Sequence, residues 1–321
     1  MSGPTCRVCG SKGSHPVYEL QERMFGLGDR FNYFQCRACR CLQIEALPRE
    51  WNRFYPPNYH SLVAEPVPRH GLRSQVAGWR DRACATGYGQ WLRWLGQPKT
   101  CLPHLLSLGR IRARRNMRIL DVGSGRGQLL SVLYRAGFRR LGGIDPFLGD
   151  DHEVIPGVWV RKQSVERVTG TFDLIMMHHV LEHVERQQEM LIACRQRLAP
   201  RGRILVRIPT IDCAIWEHYR ESAVQLDAPR HLFLHSYSSL ELLVRQAGLK
   251  LDLHWCDSTE FQFWGSELYR MDVPLYDRQG QPTDPARHFS TEQMRAFARE
   301  AQRLNTIRQG DQIAAVLTSA R

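Results

Sequence analysis

The chain has 321 residues, 43% of them apolar, and a formal net charge of +12. That length accommodates one large α/β domain with an appended module. No apolar run approaches the roughly 20 residues of a membrane span, and the N-terminus lacks the basic-then-apolar pattern of a signal peptide, so we expect a cytoplasmic protein. Because nucleic acid, anionic lipid and phosphorylated substrates all attract positive charge, the charge alone selects no partner.

Cysteines dominate the first 41 residues, which hold five of the ten in the chain. Without an export signal, such usage favours thiols or metal ligation over disulfides. Two C-x-x-C pairs, separated by 26 residues, have the spacing of a structural zinc site with four thiolate ligands. The predicted ligands are Cys6, Cys9, Cys36 and Cys39, with Cys41 and His15 as alternatives. Zinc binding also supplies the folding energy that so small a segment lacks.

Three regions are predicted along the chain. Residues 1–60 form the zinc-ribbon-like cysteine module, and residues 61–116, with apolar positions at helical spacing, form a helical linker or substrate cover. Residues 117–321 form the main α/β domain, with an insertion at about 257–310 that resembles a lid.

Strand and helix patterns alternate from residue 117 onward. The predicted strands are 117–122, 141–145, 158–162, 172–177, 202–208, 249–255 and 311–320. The predicted helices are 126–136, one that ends near 198, 238–247 and one that Ser290 caps. This alternation predicts a Rossmann-like, mostly parallel sheet with helices on both faces.

A glycine turn follows the first of these strands in "LDVGSGRGQLL". Gly123, Gly125 and Gly127 form G-x-G-x-G, which differs from the G-x-G-x-x-G of dinucleotide sites. Asp121 stands at the strand end, where its carboxylate would repel a pyrophosphate and attract an ammonium group. S-adenosylmethionine has an ammonium and a sulfonium but no phosphate, so we expect it here in preference to NAD or a purely structural turn.

A second acid supports that cofactor. Asp145 ends the next strand, in "GGIDP", and lies 22 residues beyond Gly123. An acid at this place accepts hydrogen bonds from ribose hydroxyls.

These motifs, with "FDLIMMHHVLEHV" and "LAPRGRILVRIP", resemble those of the class I S-adenosylmethionine-dependent methyltransferases over roughly residues 117–256. The resemblance implies that the glycine turn holds the methionine moiety, that the acid holds the ribose and that residues after the third strand flank the adenine. The cofactor-binding residues it implies are Asp121, Gly123, Ser124, Gly125, Gly127, Asp145, Ser164, Val165 and His178.

Histidines follow the fourth predicted strand. His179, Glu182 and His183 have the spacing of residues on one helical face and would suit a metal ion. Certain quinone-biosynthesis O-methyltransferases carry a similar "ExxEH", although here histidine stands first. The alternative is that Glu182 and His183 only brace the helix.

The loop "LDAPRHLFLHS" is similar to a stretch found in many methyltransferases of sugars and small metabolites. Methyl transfer to a hydroxyl requires removal of its proton, and an imidazole suits that task at neutral pH. We therefore predict His231 as the base, Asp227 as its orienting carboxylate and His179 as the second choice. The alternative is that His231 locks the loop.

The sequence thus predicts a methyltransferase of a small acceptor, such as a hydroxyl of a sugar, glycolipid or secondary metabolite. The cysteine module and "FYPPNYHS" resemble those of bacterial deoxysugar methyltransferases. An RNA methyltransferase with a zinc ribbon is the alternative, although its usual catalytic motifs are missing. A zinc-ribbon interaction protein without catalysis is a third hypothesis. The sequence predicts no oligomeric state.

Overall fold

The computed structural model of the protein describes residues 3–56, 72–87, 103–277 and 279–320. The parts of the predicted linker at 61–71 and 88–102 lie outside the described residues.

Twelve strands and eight α-helices lie within the described ranges. The strands are β1 Val17–Gln21, β2 Arg30–Gln35, β3 Leu42–Ile44, β4 Arg118–Val122, β5 Arg140–Ile144, β6 His152–Ile155, β7 Val158–Arg161, β8 Phe172–His178, β9 Leu198–Pro209, β10 Phe233–Leu234, β11 Leu249–Cys256 and β12 Gln312–Ser319. The helices are α1 Leu72–Ala85, α2 Pro103–Arg110, α3 Gln128–Arg135, α4 Gln187–Gln196, α5 Ala214–Tyr219, α6 Tyr237–Gln246, α7 Phe261–Arg270 and α8 Thr291–Thr306.

The larger sheet has eight strands in the order β11-β12-β9-β8-β4-β5-β7-β6. Strand β4 pairs in parallel with both β5 and β8, and β5 pairs in parallel with β7. The edge strands β6 and β11 are antiparallel to their neighbours. The predicted mostly parallel, Rossmann-like sheet is confirmed, and its seven predicted strands are all present.

Central strands of this sheet are buried along nearly their whole length, as in β8, where residues 174–177 have almost no exposed surface. Such continuous apolar runs are typical of parallel strands covered on both faces. Strand β6, in contrast, is absent from the sequence prediction. It has four residues, none of them buried, so it lacks the alternation that marks a strand.

The smaller sheet has the order β1-β2-β3-β10. Its first three strands come from the cysteine-rich segment and pair as an antiparallel meander. Its fourth strand comes from the distant histidine loop, where Phe233 lies opposite Gln43 and Leu234 opposite Leu42. The sheet of the cysteine module is therefore completed by residues far along the chain.

Two compact units divide the described residues. The first unit comprises the described residues of Met1–Asn58, His179–Glu189 and Arg207–Ala320. The second comprises those of Tyr59–His178 and Met190–Val206. All nine predicted cofactor-binding residues fall in the second unit. The four predicted zinc ligands and the predicted catalytic residues fall in the first.

Local details also bear on the predictions. Ser290 caps α8 through a capping box with Gln293, which confirms the predicted helix start. Cys84 is disulfide-bonded, an exception to the expectation of thiols. Among the described helices, none combines the length and the apolar character that crossing a bilayer requires.

Candidate functional site

The glycine turn has the backbone that its sequence requires. The amides of Gly123 and Ser124 both donate to the carbonyl of Ile144, at 2.8 and 3.1 Å. Gly123, Gly125 and Gly127 have φ angles of 69°, 51° and 82°. Residues with a Cβ rarely adopt these left-handed conformations, so the three glycines allow a turn that other residues would strain.

Gly127 has a second, steric role. A Cβ built on it would lie 2.5 Å from Cγ2 of Val154 and 2.9 Å from Cγ2 of Val160. These valines belong to β6 and β7, so this glycine allows close packing of the turn on the sheet.

Asp145 is tied to the glycine turn by backbone amides. Its Oδ2 accepts from the amide of Gly125 at 3.0 Å, and its Oδ1 accepts from the amide of Phe147 at 2.9 Å. A carboxylate oxygen has more than one acceptor position, so both oxygens keep capacity for further donors such as ribose hydroxyls. The side chain is therefore held rigidly and still suits its predicted role.

Asp121 is buried, with 4% of its surface exposed. Burial, with a contribution from the nearby Asp145, raises the pKa of the Asp121 carboxyl to about 8. A cation that approached would favour the ionised carboxylate, whereas a phosphate would add repulsion. The pair of acids and the glycine turn therefore fit the ammonium and ribose of S-adenosylmethionine and disfavour a dinucleotide.

The remaining predicted cofactor residues lie on other elements of the same unit. Ser164 precedes a short 3₁₀ turn that begins with the buried Val165. His178 is the last residue of β8, and its ring packs edge-on against that of His104, with centroids 5.6 Å apart.

His231 is largely buried, with 6% of its surface exposed. Its Nδ1 lies 2.7 Å from the carbonyl oxygen of Gln225, and its Nε2 lies 3.8 Å from Oδ2 of Asp227. A carbonyl can only accept, so Nδ1 carries the proton in the neutral ring and Nε2 bears the lone pair.

Arg230 is the main partner of Asp227 and was not singled out from the sequence. It is fully buried, its Nη2 lies 2.6 Å from Oδ1 of Asp227 and 2.7 Å from Oε1 of Glu22, and it donates to the carbonyl of Phe54. Burial opposes ionisation of Asp227, but the charge and hydrogen bond of Arg230, together with His231 and His183, outweigh it and lower the pKa to about 2. The sequence contains only one sign of the role of Arg230, a charged residue beside a proline, because its partner Glu22 lies 208 positions away in the chain.

The predicted shared helical face of His179, Glu182 and His183 is wrong. His179 has a φ of 54°, residues 181–183 form a 3₁₀ turn, and α4 begins only at Gln187. The irregular backbone separates the two histidines.

Glu182 lies close to His179 and also close to the pair formed by His183 and His231. Nδ1 of His179 lies 3.2 Å from Oε1 of Glu182, while the ring of His183 packs against that of His231, with centroids 4.8 Å apart. Glu182, His183 and His231 each offer a ligand atom within 4.8 Å of the others. Burial, aided by His231, lowers the pKa of His183 to about 4, which keeps this imidazole neutral.

The four predicted cysteine ligands come together. One sulfur atom of each of Cys6, Cys9, Cys36 and Cys39 lies within 4.8 Å of the others, with Sγ–Sγ distances of 3.6 Å for Cys6–Cys39 and 3.5 Å for Cys9–Cys36. Zn–S bonds of about 2.3 Å in a tetrahedron place sulfurs about 3.8 Å apart, so the cluster fits zinc. Cys41 instead lies near the carbonyl of Leu42.

The two cysteine turns have the same local geometry. Gly10 and Arg40, each one residue after a C-x-x-C pair, have left-handed φ angles of 72° and 62°. Each donates its amide to the carbonyl of the first cysteine of the pair, Cys6 or Cys36. Two equivalent turns of this kind are consistent with a small zinc-ribbon module.

The aromatic residues of the predicted lid pack largely with one another. Trp255 and Tyr269 are buried, and the rings of Phe261 and Trp264 meet edge to face at 4.7 Å. Phe263 stacks on Phe297 with centroids 5.6 Å apart. Phe261, Phe263, Trp264 and Phe297 are half-buried, so these rings form a partly covered aromatic cluster.

Comparison with known proteins gives one family and a set of weak structural likenesses. Residues 96–254 match the family model described as "Methyltransferase domain". No curated protein matches the chain significantly.

Solved structures with a similar fold include an S-adenosylmethionine-dependent methyltransferase from Mesorhizobium loti, with 14% identity and a TM-score of 0.39 over 67% of this chain and 97% of that one. A Burkholderia thailandensis 1,6-didemethyltoxoflavin-N1-methyltransferase with bound S-adenosylhomocysteine has 16% identity and a TM-score of 0.36 over 60% and 84% of the two chains. The magnesium protoporphyrin IX methyltransferase from Synechocystis has 16% identity and a TM-score of 0.38 over 57% and 93%. Similarity at this level says nothing about the acceptor.

The family match covers the glycine turn and both acids that fit the cofactor. Over residues 96–254 the chain is therefore similar to methyltransferase domains, a class of enzyme whose cofactor its glycine turn and acids also fit.

Proposed function

We propose that the protein transfers the methyl group of S-adenosylmethionine to a hydroxyl of a small molecule, with a sugar, glycolipid or secondary metabolite as the acceptor class. The observation that carries this proposal is the buried imidazole of His231, whose Nδ1–H is engaged by the carbonyl of Gln225. Its Nε2 is therefore the basic atom, as proton removal from an acceptor requires.

In the proposed reaction, the hydroxyl oxygen attacks the methyl carbon, and the carbon–sulfur bond breaks as the carbon–oxygen bond forms. The hydroxyl proton passes to Nε2 of His231, which leaves S-adenosylhomocysteine, the methyl ether and an imidazolium. Asp227, with Oδ2 3.8 Å from Nε2, would stabilise that imidazolium through its negative charge. His179, whose side chain is 38% exposed and hydrogen-bonded to Glu182, is the second candidate for the base.

Burial around His231 supports a small acceptor. Glu182 and Arg230 have no exposed surface, and His231 has 6%. A base surrounded by buried side chains is reached more readily by a small polar molecule than by a folded nucleic acid. The basic surface implied by the net charge of +12 keeps RNA as the alternative substrate to be tested.

The acceptor class is tested by incubating the purified full chain with labelled S-adenosylmethionine and, separately, sugar nucleotides, glycolipids or total RNA. We expect label in a small-molecule or lipid fraction. Salt-sensitive label in RNA, with none in the other fractions, would overturn the proposal in favour of the alternative.

The base is tested by His231→Gln, with the exposed His288→Gln as the matched control. We expect turnover to fall by about 10²-fold or more in the first variant and to stay unchanged in the second, because general-base catalysis contributes roughly that factor. Affinity for S-adenosylmethionine, measured by calorimetry, stays constant in both. Wild-type turnover of His231→Gln would remove this residue from the reaction.

We also propose that the four-cysteine cluster binds one structural zinc ion. Cys39→Ser is expected to lower the zinc content by one ion per chain and to lower the unfolding temperature. Cys41→Ser is the matched control, because this neighbouring thiol is equally buried yet lies outside the cluster. Equal zinc content in the two variants would contradict the assignment.

A further inference from the structure

We propose that Glu182, His183 and His231 bind one divalent transition-metal ion, at a site separate from the four-cysteine cluster. Each residue offers one ligand atom within 4.8 Å of those of the other two. Glu182 and His231 are buried and His183 is half-buried. The spacing of the sequence motif had pointed instead to His179 as the partner of Glu182 and His183.

Both imidazoles are oriented as metal-ligating histidines are. Nδ1 of His183 lies 2.9 Å from the carbonyl oxygen of Arg230, and Nδ1 of His231 lies 2.7 Å from that of Gln225. Donation to a carbonyl fixes the tautomer and leaves the lone pair on Nε2, which is the usual outer-shell arrangement around a metal-bound histidine. The hydroxyl of Tyr55 lies 3.3 Å from Nδ1 of His183, so it too leaves Nε2 of that ring available.

The carboxylate of Glu182 supplies the independent sign of a ligand. Its side chain has no exposed surface, and Oε1 is 3.2 Å from Nδ1 of His179. Its Oε2 is buried with no hydrogen-bond partner among the described residues. A buried carboxylate oxygen left without a partner is costly, and a cation would satisfy it.

Neighbouring charges favour a cation as well. The guanidinium of Arg230 is paired with Glu22 and Asp227. Asp227 places a second carboxylate 3.8 Å from Nε2 of His231. The carboxylates of Glu182 and Asp227 therefore make the electrostatic potential at the three ligand atoms more negative. The positive charge of Arg230 is offset by its own ion pairs with Glu22 and Asp227.

The donor set indicates the class of ion. Two imidazoles and one carboxylate suit Zn²⁺, Fe²⁺, Co²⁺ or Mn²⁺, and three protein ligands leave an open position for an oxygen ligand. Four thiolates leave none, so the two sites differ in chemistry. A bound ion would occupy Nε2 of His231 and would itself acidify a coordinated hydroxyl, so that His179, the second candidate for the base, would take the proton in the ion-bound protein; this role rests on the proposed function. Ion binding does not rest on it.

Cobalt content tests the site. The full chain and its Glu182→Gln and Glu185→Gln variants are stripped with a chelator, equilibrated with Co²⁺, freed of unbound ion and measured by elemental analysis. Glu185 is exposed and provides the matched control. We expect Glu182→Gln to hold about one ion per chain fewer than the wild type and the control. Equal content in all three would overturn the proposal. No acceptor or cofactor is present, so failure of the proposed reaction would not affect the result.

Proton NMR of the cobalt-loaded wild type provides a test that requires no variant. Two imidazole N–H signals, which exchange with solvent, should be shifted outside the diamagnetic range, because both ligands keep Nδ1–H. Methylene protons of cysteines around a second cobalt ion do not exchange, so the two sites are distinguishable. Absence of the two exchangeable signals would overturn the site even if Glu182→Gln failed to fold.

Discussion

The glycine turn and the histidine loop are built in contrasting ways. Functional groups of the turn lie within 25 residues, from Asp121 to Asp145, and are joined by backbone hydrogen bonds. The loop around His231 is held by side chains from remote segments, such as Glu22 on Arg230 and the hydroxyl of Tyr33 on the carbonyl of His231. Local geometry can be inferred from a short motif, whereas an assembly of remote segments cannot.

Arg230→Met is expected to have the largest effect, because it tests whether the loop depends on its buried ion pairs. Loss of the guanidinium leaves Glu22 and Asp227 buried without their counter-charge, which costs about 3–5 kcal/mol. Denaturant unfolding measures the change. Arg186→Met is the control, since its pair with Glu189 is exposed and contributes less than about 1 kcal/mol. Similar losses in both variants would mean that the loop is not held by these pairs.

Gly127→Ala tests the turn. It should destabilise the protein by about 3 kcal/mol, because the left-handed backbone costs 1–2 kcal/mol and the new Cβ meets Val154. Gly170→Ala separates the backbone cost from the steric cost. Gly170 has a similar φ of 83°, but nothing lies within 4 Å of a Cβ built on it. Equal losses by chemical denaturation would show that packing against β6 contributes nothing.

Asp121→Asn tests the electrostatic part of the turn. The amide keeps the size of the side chain but removes the negative charge that we expect to face the cofactor ammonium, so affinity for S-adenosylmethionine should fall by about 10²-fold, or ~2–3 kcal/mol. Calorimetry measures it, with the exposed Asp150→Asn as control. Unchanged affinity would remove Asp121 from the cofactor site.

The pH dependence of stability without cofactor tests the burial of Asp121. Asp121 has its pKa raised from 3.8 to about 8 by burial and by Asp145, so the folded state binds its proton more tightly than the unfolded state. Its stabilising contribution is complete below pH 3.8 and is lost as pH rises toward 8. We expect the free energy of unfolding to fall across that window, measured by unfolding at several pH values. Asp121→Asn should flatten this part of the profile, and an unaltered slope would contradict the assignment.

Prediction from the sequence succeeded for features that depend on one short stretch of chain or on a simple spacing of residues. The main strands, the cap at Ser290 and the convergence of the four cysteines follow from period, cap chemistry and spacing. It failed at His179, where a left-handed residue and a 3₁₀ turn replace the expected helix. It also missed β6, whose four residues, none of them buried, carry no strand pattern.

The sequence by itself determined the Rossmann-like sheet and predicted the kind of cofactor, because Asp121, the glycines and Asp145 lie within one strand–turn–helix–strand unit. Only the tertiary structure decided which side chains accompany His231. Arg230, Glu182 and His183 meet it through folding of segments far apart in the chain, and no local pattern records those contacts. A buried charge is costly unless the fold places an opposite charge beside it, as it places Glu22 and Asp227 beside Arg230.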